Sequence, residues 1–178
     1  MTLFWFAQAI GIVALGFSVM SYQAKTRAKI LNIQFLGSLV YMLHFGLLSA
    51  WTGLVMNAIV AARNWVFVRK DAEKWASHPA WWYGFMFASV GSLFFVWEGY
   101  ISLLPALSMV LGVYARWQEN PARIRIATLI GVLMWIPYTV AVESYAGTAA
   151  QFVVLAAVIY GMLKHDRRGK GGGEFPGV

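Results

Sequence analysis

Apolar runs of membrane-spanning length recur along the chain from residue 2 to residue 163, separated by short polar clusters. A helix crosses the hydrocarbon core in about 20 mostly apolar residues, with a working range of roughly 17 to 25. The pattern predicts seven spans, at 2–22, 30–48, 50–68, 80–97, 100–115, 126–142 and 145–163, the fifth being the shortest. This leaves nearly the whole chain embedded and excludes a large soluble domain. The first run lacks a basic start and passes straight into further spans, so it does not read as a cleaved signal peptide.

Composition agrees with the pattern. The 178 residues are 60% hydrophobic, 16% aromatic and 12% charged, with a mean hydropathy of +0.64, whereas soluble domains carry roughly 25% charge. The absence of cysteine removes disulfides, thiolate metal sites, iron–sulfur clusters and thiol redox chemistry. The net charge of +7 gains its meaning from placement. Lys25, Arg27 and Lys29 follow the first span; Arg63, Arg69, Lys70 and Lys74 close the third; Arg116, Arg123 and Arg125 follow the fifth; Lys164, Arg167, Arg168 and Lys170 follow the seventh. All 14 basic residues therefore fall on one side, and Ser49, Glu98 and Glu143 mark the other. Basic residues near short loops stay cytoplasmic, which predicts an outer N-terminus and a cytoplasmic C-terminus. The charge then reads as an orientation signal that meets anionic headgroups at the cytoplasmic face, and nucleic acid is not an expected partner.

An offset of 94 residues exposes an internal repeat. It sets Ile30 over Ile124, Gly37 over Gly131, Tyr41 over Trp135, His44 over Tyr138, Gly53 over Gly147 and Asn57 over Gln151. Identities are few, but paired glycines, aromatics and amides coincide with the span boundaries. Spans one to three map onto five to seven, and span four is left as a linker. Both units begin on an odd span, so they share one orientation, related by an axis along the membrane normal. The expected organisation is a first repeat at 1–68, a cytoplasmic loop and linker helix at 69–99, a second repeat at 100–163, and a basic tail at 164–178 whose glycine-rich end has linker composition.

This three-plus-one-plus-three layout resembles the SWEET and PQ-loop membrane proteins, and Ser21, Tyr22 and Gln23 stand close to the Pro-Gln step of the latter, with Tyr in place of Pro. More closely, the stretch from Ser21 to Phe67, with Gln34, Tyr41, His44, Gly53, Asn57, Arg63 and Asn64, resembles the YgjV-type bacterial inner-membrane proteins. The resemblance implies an all-α integral membrane protein of the bacterial inner membrane. The SWEET likeness also implies a substrate gripped by an aromatic from the second helix and an amide from the third. Tyr41 with Asn57, and Trp135 with Gln151, match those roles. Tyr22 falls at the position of the proline hinge, and Pro105, paired with Gly11 in the repeat, is a substitute for it.

Uncharged polar groups inside a bilayer need partners and usually face the bundle interior. Asn57, Gln151, Tyr41 and Trp135 are therefore expected to meet near the midplane, where amides and aromatic faces suit a neutral polar solute. The alternative is that they glue helices and fill space. His44 and its counterpart in the second unit, Tyr138, are counted with these four as substrate contacts; for His44 the readings are a proton-coupling group beside the site or a hydrogen-bonded contact between helices. Arg63, near the cytoplasmic end of span three, is read as snorkelling or as a gate or anion contact. Glu98 and Glu143 read as solvated caps.

No enzyme motif is present. There is no Gly-x-Ser-x-Gly, no His-Glu-x-x-His, no buried pair of carboxylates and no intramembrane Lys for a Schiff base. The expected activity is movement of a neutral polar metabolite, such as a sugar, nucleoside or vitamin, with no enzymatic step and no cofactor. The alternative is a receptor or assembly factor that keeps the fold. Self-association into a homo-oligomer is left open.

Overall fold

The computed structural model describes residues 2–23, 27–70, 72–117 and 121–163, with the side chains at 22–23, 27, 115–117 and 121–124 outside that description. Among these residues the chain is all-helical. Seven α-helices follow one another: α1 Thr2–Gln23, α2 Arg27–Leu47, α3 Trp51–Arg69, α4 Ala80–Gly91, α5 Leu103–Trp117, α6 Pro121–Ala141 and α7 Tyr145–Gly161. By length and composition α1 and α2 suffice to cross a bilayer, and 100–114, 125–141 and 145–161 are shorter apolar helical stretches.

The burial pattern departs from that of a water-soluble bundle. Gln8, Ser38, His44, Asn57, Asn64 and Thr139 are buried, while Trp5, Phe6, Phe87, Phe94, Phe95 and Tyr160 lie exposed. Polar groups facing inward and large apolar groups facing outward are what a lipid solvent selects, because buried amides and hydroxyls then find partners inside the bundle.

Helix α1 packs on α2, α2 on α3, α3 on α5, α5 on α6, α6 on α7, and α7 back on α1. The six close into a ring, and α4 lies outside it against α5 and α3. Exchanging α1 with α5, α2 with α6 and α3 with α7 leaves this order of contacts unchanged. Hydrogen bonds between helix starts fix direction: Gln8 near the start of α1 reaches Ala146 of α7, and Ser102 just before α5 reaches Thr52 of α3. Hence α1, α3, α5 and α7 begin at one end of the ring.

The α2–α3 and α6–α7 links share one backbone geometry. Ser49 and Glu143 take φ of 55° and 53°, and the next residues, Ala50 and Ser144, sit at φ −86°, ψ 78° and φ −84°, ψ 81°. Ala50 N donates to Phe45 O and Ser144 N to Thr139 O, both at 2.9 Å. Each of these pairs is separated by 94 residues.

Two expected spans are redrawn. Helix α4 stops at Gly91 and gives way to a 3-10 turn at Ser92–Phe94, so its 12 residues rise about 18 Å, short of a core about 30 Å thick. The segment still runs the length of α3, because Lys70 follows the end of α3 and Glu98 bonds its start. Helix α5 begins at Leu103 after a second 3-10 turn at Tyr100–Ser102. Pro105 thus falls in the first turn of α5, where a missing N–H breaks nothing, and it is no hinge. The proline inside a helix is Pro137 of α6, which withholds a hydrogen bond from Leu133 O. The tail from 164 onward lies outside the described residues.

Candidate functional site

A cavity of about 220 Å³ lies within the ring and draws its wall from all six ring helices. Tyr41, Trp135, Asn57 and Gln151, the four residues that equal spacing predicts at equal depth, all line it. The helices approach closely through glycine. A Cβ on Gly37 would stand 3.0 Å from Phe17 Cβ, and one on Gly131 would stand 2.9 Å from Ser108 Oγ. The pair Gly37 and Gly131 also opens space in the cavity wall. Asn57 is held by its own helix, Nδ2 donating to Gly53 O at 2.8 Å. The side-chain amides of Gln151 and Gln34, both in the cavity wall, make no hydrogen bond among the described residues. The aromatic side of the wall is a cluster in which Phe45 stacks with Tyr41 at 6.0 Å between centroids and meets Trp135 at 6.2 Å.

His44 and Tyr138 stand outside this wall, a correction to the expected substrate contacts. His44 is fully buried between α1, α2 and α7. Its Nδ1 lies 2.7 Å from Ala7 O and its Nε2 2.6 Å from Ser144 Oγ. A carbonyl oxygen only accepts, so Nδ1–H donates to it, and the neutral ring's Nε2 accepts the Ser144 hydroxyl proton. Ser144 Oγ in turn accepts from Gly147 N at 3.2 Å. Spacing along α2 placed His44 one turn from Tyr41, and that turn carries it past the cavity.

Tyr138 performs the mirrored task. Its hydroxyl accepts from Gly53 N at 2.6 Å and donates to Glu98 Oε2 at 3.2 Å. Glu98 is correspondingly no solvated cap of its own turn. Its two oxygens accept from Trp51 N at 2.6 Å and Thr52 N at 3.1 Å, satisfying the orphan amides at the start of α3 and meeting the positive end of its dipole. Gln8 completes the other side, accepting from Ala146 N at 3.3 Å and donating to Glu143 O at 2.7 Å. Thus the second helix of each half latches the start of the third helix of the other.

These latches surround Phe45, Ala50 and Tyr138, with Leu48 and Val142 packed on them. On the far side of this plug an open cleft of about 410 Å³ lies between the two links, lined by Ser49 and Glu143, Leu48 and Val142, and by Leu3 and Phe4 of α1. Sequence reasoning missed Glu98, Ser144 and Phe45. Only Gln8 left a signal, as a lone amide on the polar face of α1.

Arg63 does not snorkel. It is 1% exposed and lines the cavity, with Nη2 donating to Asn64 Oδ1 at 3.4 Å. Tyr22 belongs to α1, but its side chain lies outside the described residues. Among the described residues no group of three or more His, Asp or Glu is placed to hold a metal ion.

A helical ring with buried polar groups, exposed large apolar groups and a cavity wall of amides and aromatics defines a helical membrane protein. The chain belongs to the Imp-YgjV family, bacterial inner membrane protein, whose family model matches residues 5–169. No curated protein and no solved structure matches it.

Proposed function

We propose that this chain is a transporter, moving a small polar metabolite across the inner membrane without chemical change. The single observation that carries the reading is the cavity within the six-helix ring, where paired aromatics and amides from both halves meet. Asn57, Gln151, Tyr41 and Trp135 grip the uncharged hydrogen-bonding body of the solute. The two halves are read as parallel three-helix repeats of SWEET type, α1–α3 and α5–α7, with the α4 segment as linker, an outer N-terminus and a cytoplasmic C-terminus. The shared direction of α1, α3, α5 and α7, the exchange-invariant ring and the repeated link geometry support that reading. The crossed latches form the outer closure, the cleft beyond them is the outer vestibule, and rocking of the halves exposes the cavity alternately.

The test is a thermal-shift screen of the purified protein against metabolite classes, followed by uptake into proteoliposomes. A solute at about 100 times its Kd stabilises a fold that binds it by roughly 2.7 kcal/mol. Asn57→Leu should abolish both the shift and uptake while leaving expression intact. A solute that binds without being moved would favour the receptor reading, and a Leu variant that binds normally would remove the site.

A further inference from the structure

We infer that the solute of the central cavity is a neutral planar heterocycle that turns an edge of N–H donors to the α1–α2 side of the wall and lays its ring against the aromatic cluster; this deepens the transporter reading and rests on it. A serine hydroxyl has one proton to donate and two lone pairs to accept with. In the cavity wall Ser18 Oγ donates to Ala14 O at 3.3 Å, Ser21 Oγ to Ser18 O at 2.7 Å and Ser38 Oγ to Gln34 O at 2.7 Å. A carbonyl oxygen only accepts, so all three protons are committed to the helices and these side chains keep only acceptor capacity. Asn57 likewise commits one of its two N–H groups to Gly53 O. Helices α1 and α2 meet where a Cβ on Gly37 would stand 3.0 Å from Phe17 Cβ. Ser38 and Ser18 are the next residues along, so their oxygens border one stretch of the wall.

The facing half is less polar. At the offset of 94, Ser18 and Ser38 become Gly112 and Val132, which border the cavity with no hydrogen-bonding side chain. Ser108 is turned onto α6, where a Cβ on Gly131 would stand 2.9 Å from its Oγ, and Thr128 and Gln151 are the other polar side chains there apart from Trp135. A sugar carries hydroxyls all round and would leave some of them unpaired against that half. A flat ring that is polar along one edge fits both halves, its face covered by Phe45 and Trp135, whose centroids stand 6.2 Å apart. The wall has no Asp or Glu among its described residues, so an ammonium group would enter without a counter-charge, and the lone pairs of a carboxylate would oppose those of the serines. The donors are therefore uncharged N–H groups. A cavity of about 220 Å³ lies below the roughly 300–1,000 Å³ of pockets for drug-sized ligands and suits one ring or two fused rings.

The experiment uses the full-length protein in lipid nanodiscs at neutral pH and probes that differ only at the donor edge: adenine against its dimethylamino analogue, and aminopyrimidine against dimethylaminopyrimidine, with glucose as the hydroxyl-rich comparison. Each is titrated into the millimolar range while the melting temperature is read with and without probe, which separates binding from any change in basal stability. The expected result is a saturable rise with at least one amino compound, at least about tenfold weaker for its dimethyl analogue and for glucose. That preference should be lost when Ser18→Ala and Ser38→Ala are combined, and persist in part in either variant alone, which keeps one acceptor. A response to glucose or to a dimethyl analogue that equals the amino compound's, and that is lost in Asn57→Leu, overturns the donor-edge assignment and leaves the transporter reading standing. A preference that survives undiminished in the combined variant overturns it as well. No response to either amino compound overturns it outright.

Discussion

Tyr138→Phe tests whether the crossed latches are the outer closure. The variant keeps the ring that packs on Phe45 and removes only the hydroxyl, which accepts from Gly53 N at 2.6 Å and donates to Glu98 at 3.2 Å. Gly53 is the third residue of α3, so its N–H has no acceptor within the helix. Without the hydroxyl that buried donor is orphaned in the closed state, at a cost of about 1–3 kcal/mol. In an outward-open state water takes the place of the hydroxyl, so the cost falls on one side of the equilibrium alone. Population then moves outward by roughly 5-fold to 150-fold. Because the chain has no cysteine, Ser38→Cys in the cavity wall is a lone reporter. A membrane-impermeant thiol reagent applied from the periplasmic side should label it slowly in the parent and at least about fivefold faster with Tyr138→Phe. Labelling after solubilisation controls for folding. An unchanged outside rate, in a variant that folds and inserts, would refute the assignment of the latch as a gate.

Other substitutions probe the packing and the links. His44→Phe leaves Ala7 O and Ser144 without their ring partner and should cost about 1–3 kcal/mol, seen as a fall of several degrees in thermal midpoint. Gly53→Ala would drive a Cβ to 2.7 Å from the Phe45 ring and 3.0 Å from the Tyr138 hydroxyl, and should destabilise by about 1–3 kcal/mol. Gly84→Ala, where a Cβ meets nothing within 4 Å in mid-α4, should gain about 0.5–1 kcal/mol; equal effects in thermal melts would contradict the close-approach argument. Ser49→Gly and Glu143→Gly each relieve a left-handed backbone and should stabilise by up to about 1 kcal/mol, with matching increments from the two links.

Much of the helical segmentation was legible because lipid imposes length on apolar runs. Helix α3 was expected at 50–68 and runs Trp51–Arg69, and α7 starts at Tyr145 as expected. The α4 segment was misread because its composition stays apolar through Trp97 while the helix ends at Gly91. Hydropathy reports solvent and does not report φ and ψ. The cavity residues were legible through an arithmetic accident of repeats: equal spacing fixes equal depth, so Tyr41 and Trp135 could be placed without knowing the packing. His44 was readable as a hydrogen-bonded contact between helices, but its partner was not, and the roles of Tyr138 and Glu98 escaped altogether, because these partners lie 100, 85 and 46–47 residues away. Periodicity assigns a residue to a face, but it cannot say which helix that face meets. For Arg63 the sequence left snorkelling and a gate or anion contact both open, and its burial removes the first, because snorkelling depends on whether the neighbouring wall leaves a path to the interface.

The latches also bear on why the two halves differ where they do. Position 44 is His and position 138 is Tyr, and they meet different chemistry at the start of the opposite third helix. Helix α7 carries its own cap in Ser144, whose Oγ accepts from Gly147 N, so the residue crossing to it must both accept from that hydroxyl and donate elsewhere, which His does with its two nitrogens. Helix α3 begins after Ala50, whose methyl group cannot accept a hydrogen bond and so cannot cap. The missing acceptors come from Glu98 in the preceding link and from the Tyr138 hydroxyl. The exchange of a local cap for a distant one explains why a carboxylate stands at 98 while its counterpart by offset, residue 4, is Phe. It also ties the α3 start to the segment that follows α4, so that in the proposed cycle movement of α4 and release of the α3 start would be coupled. The α7 side, held by neutral groups within the ring, carries no such dependence.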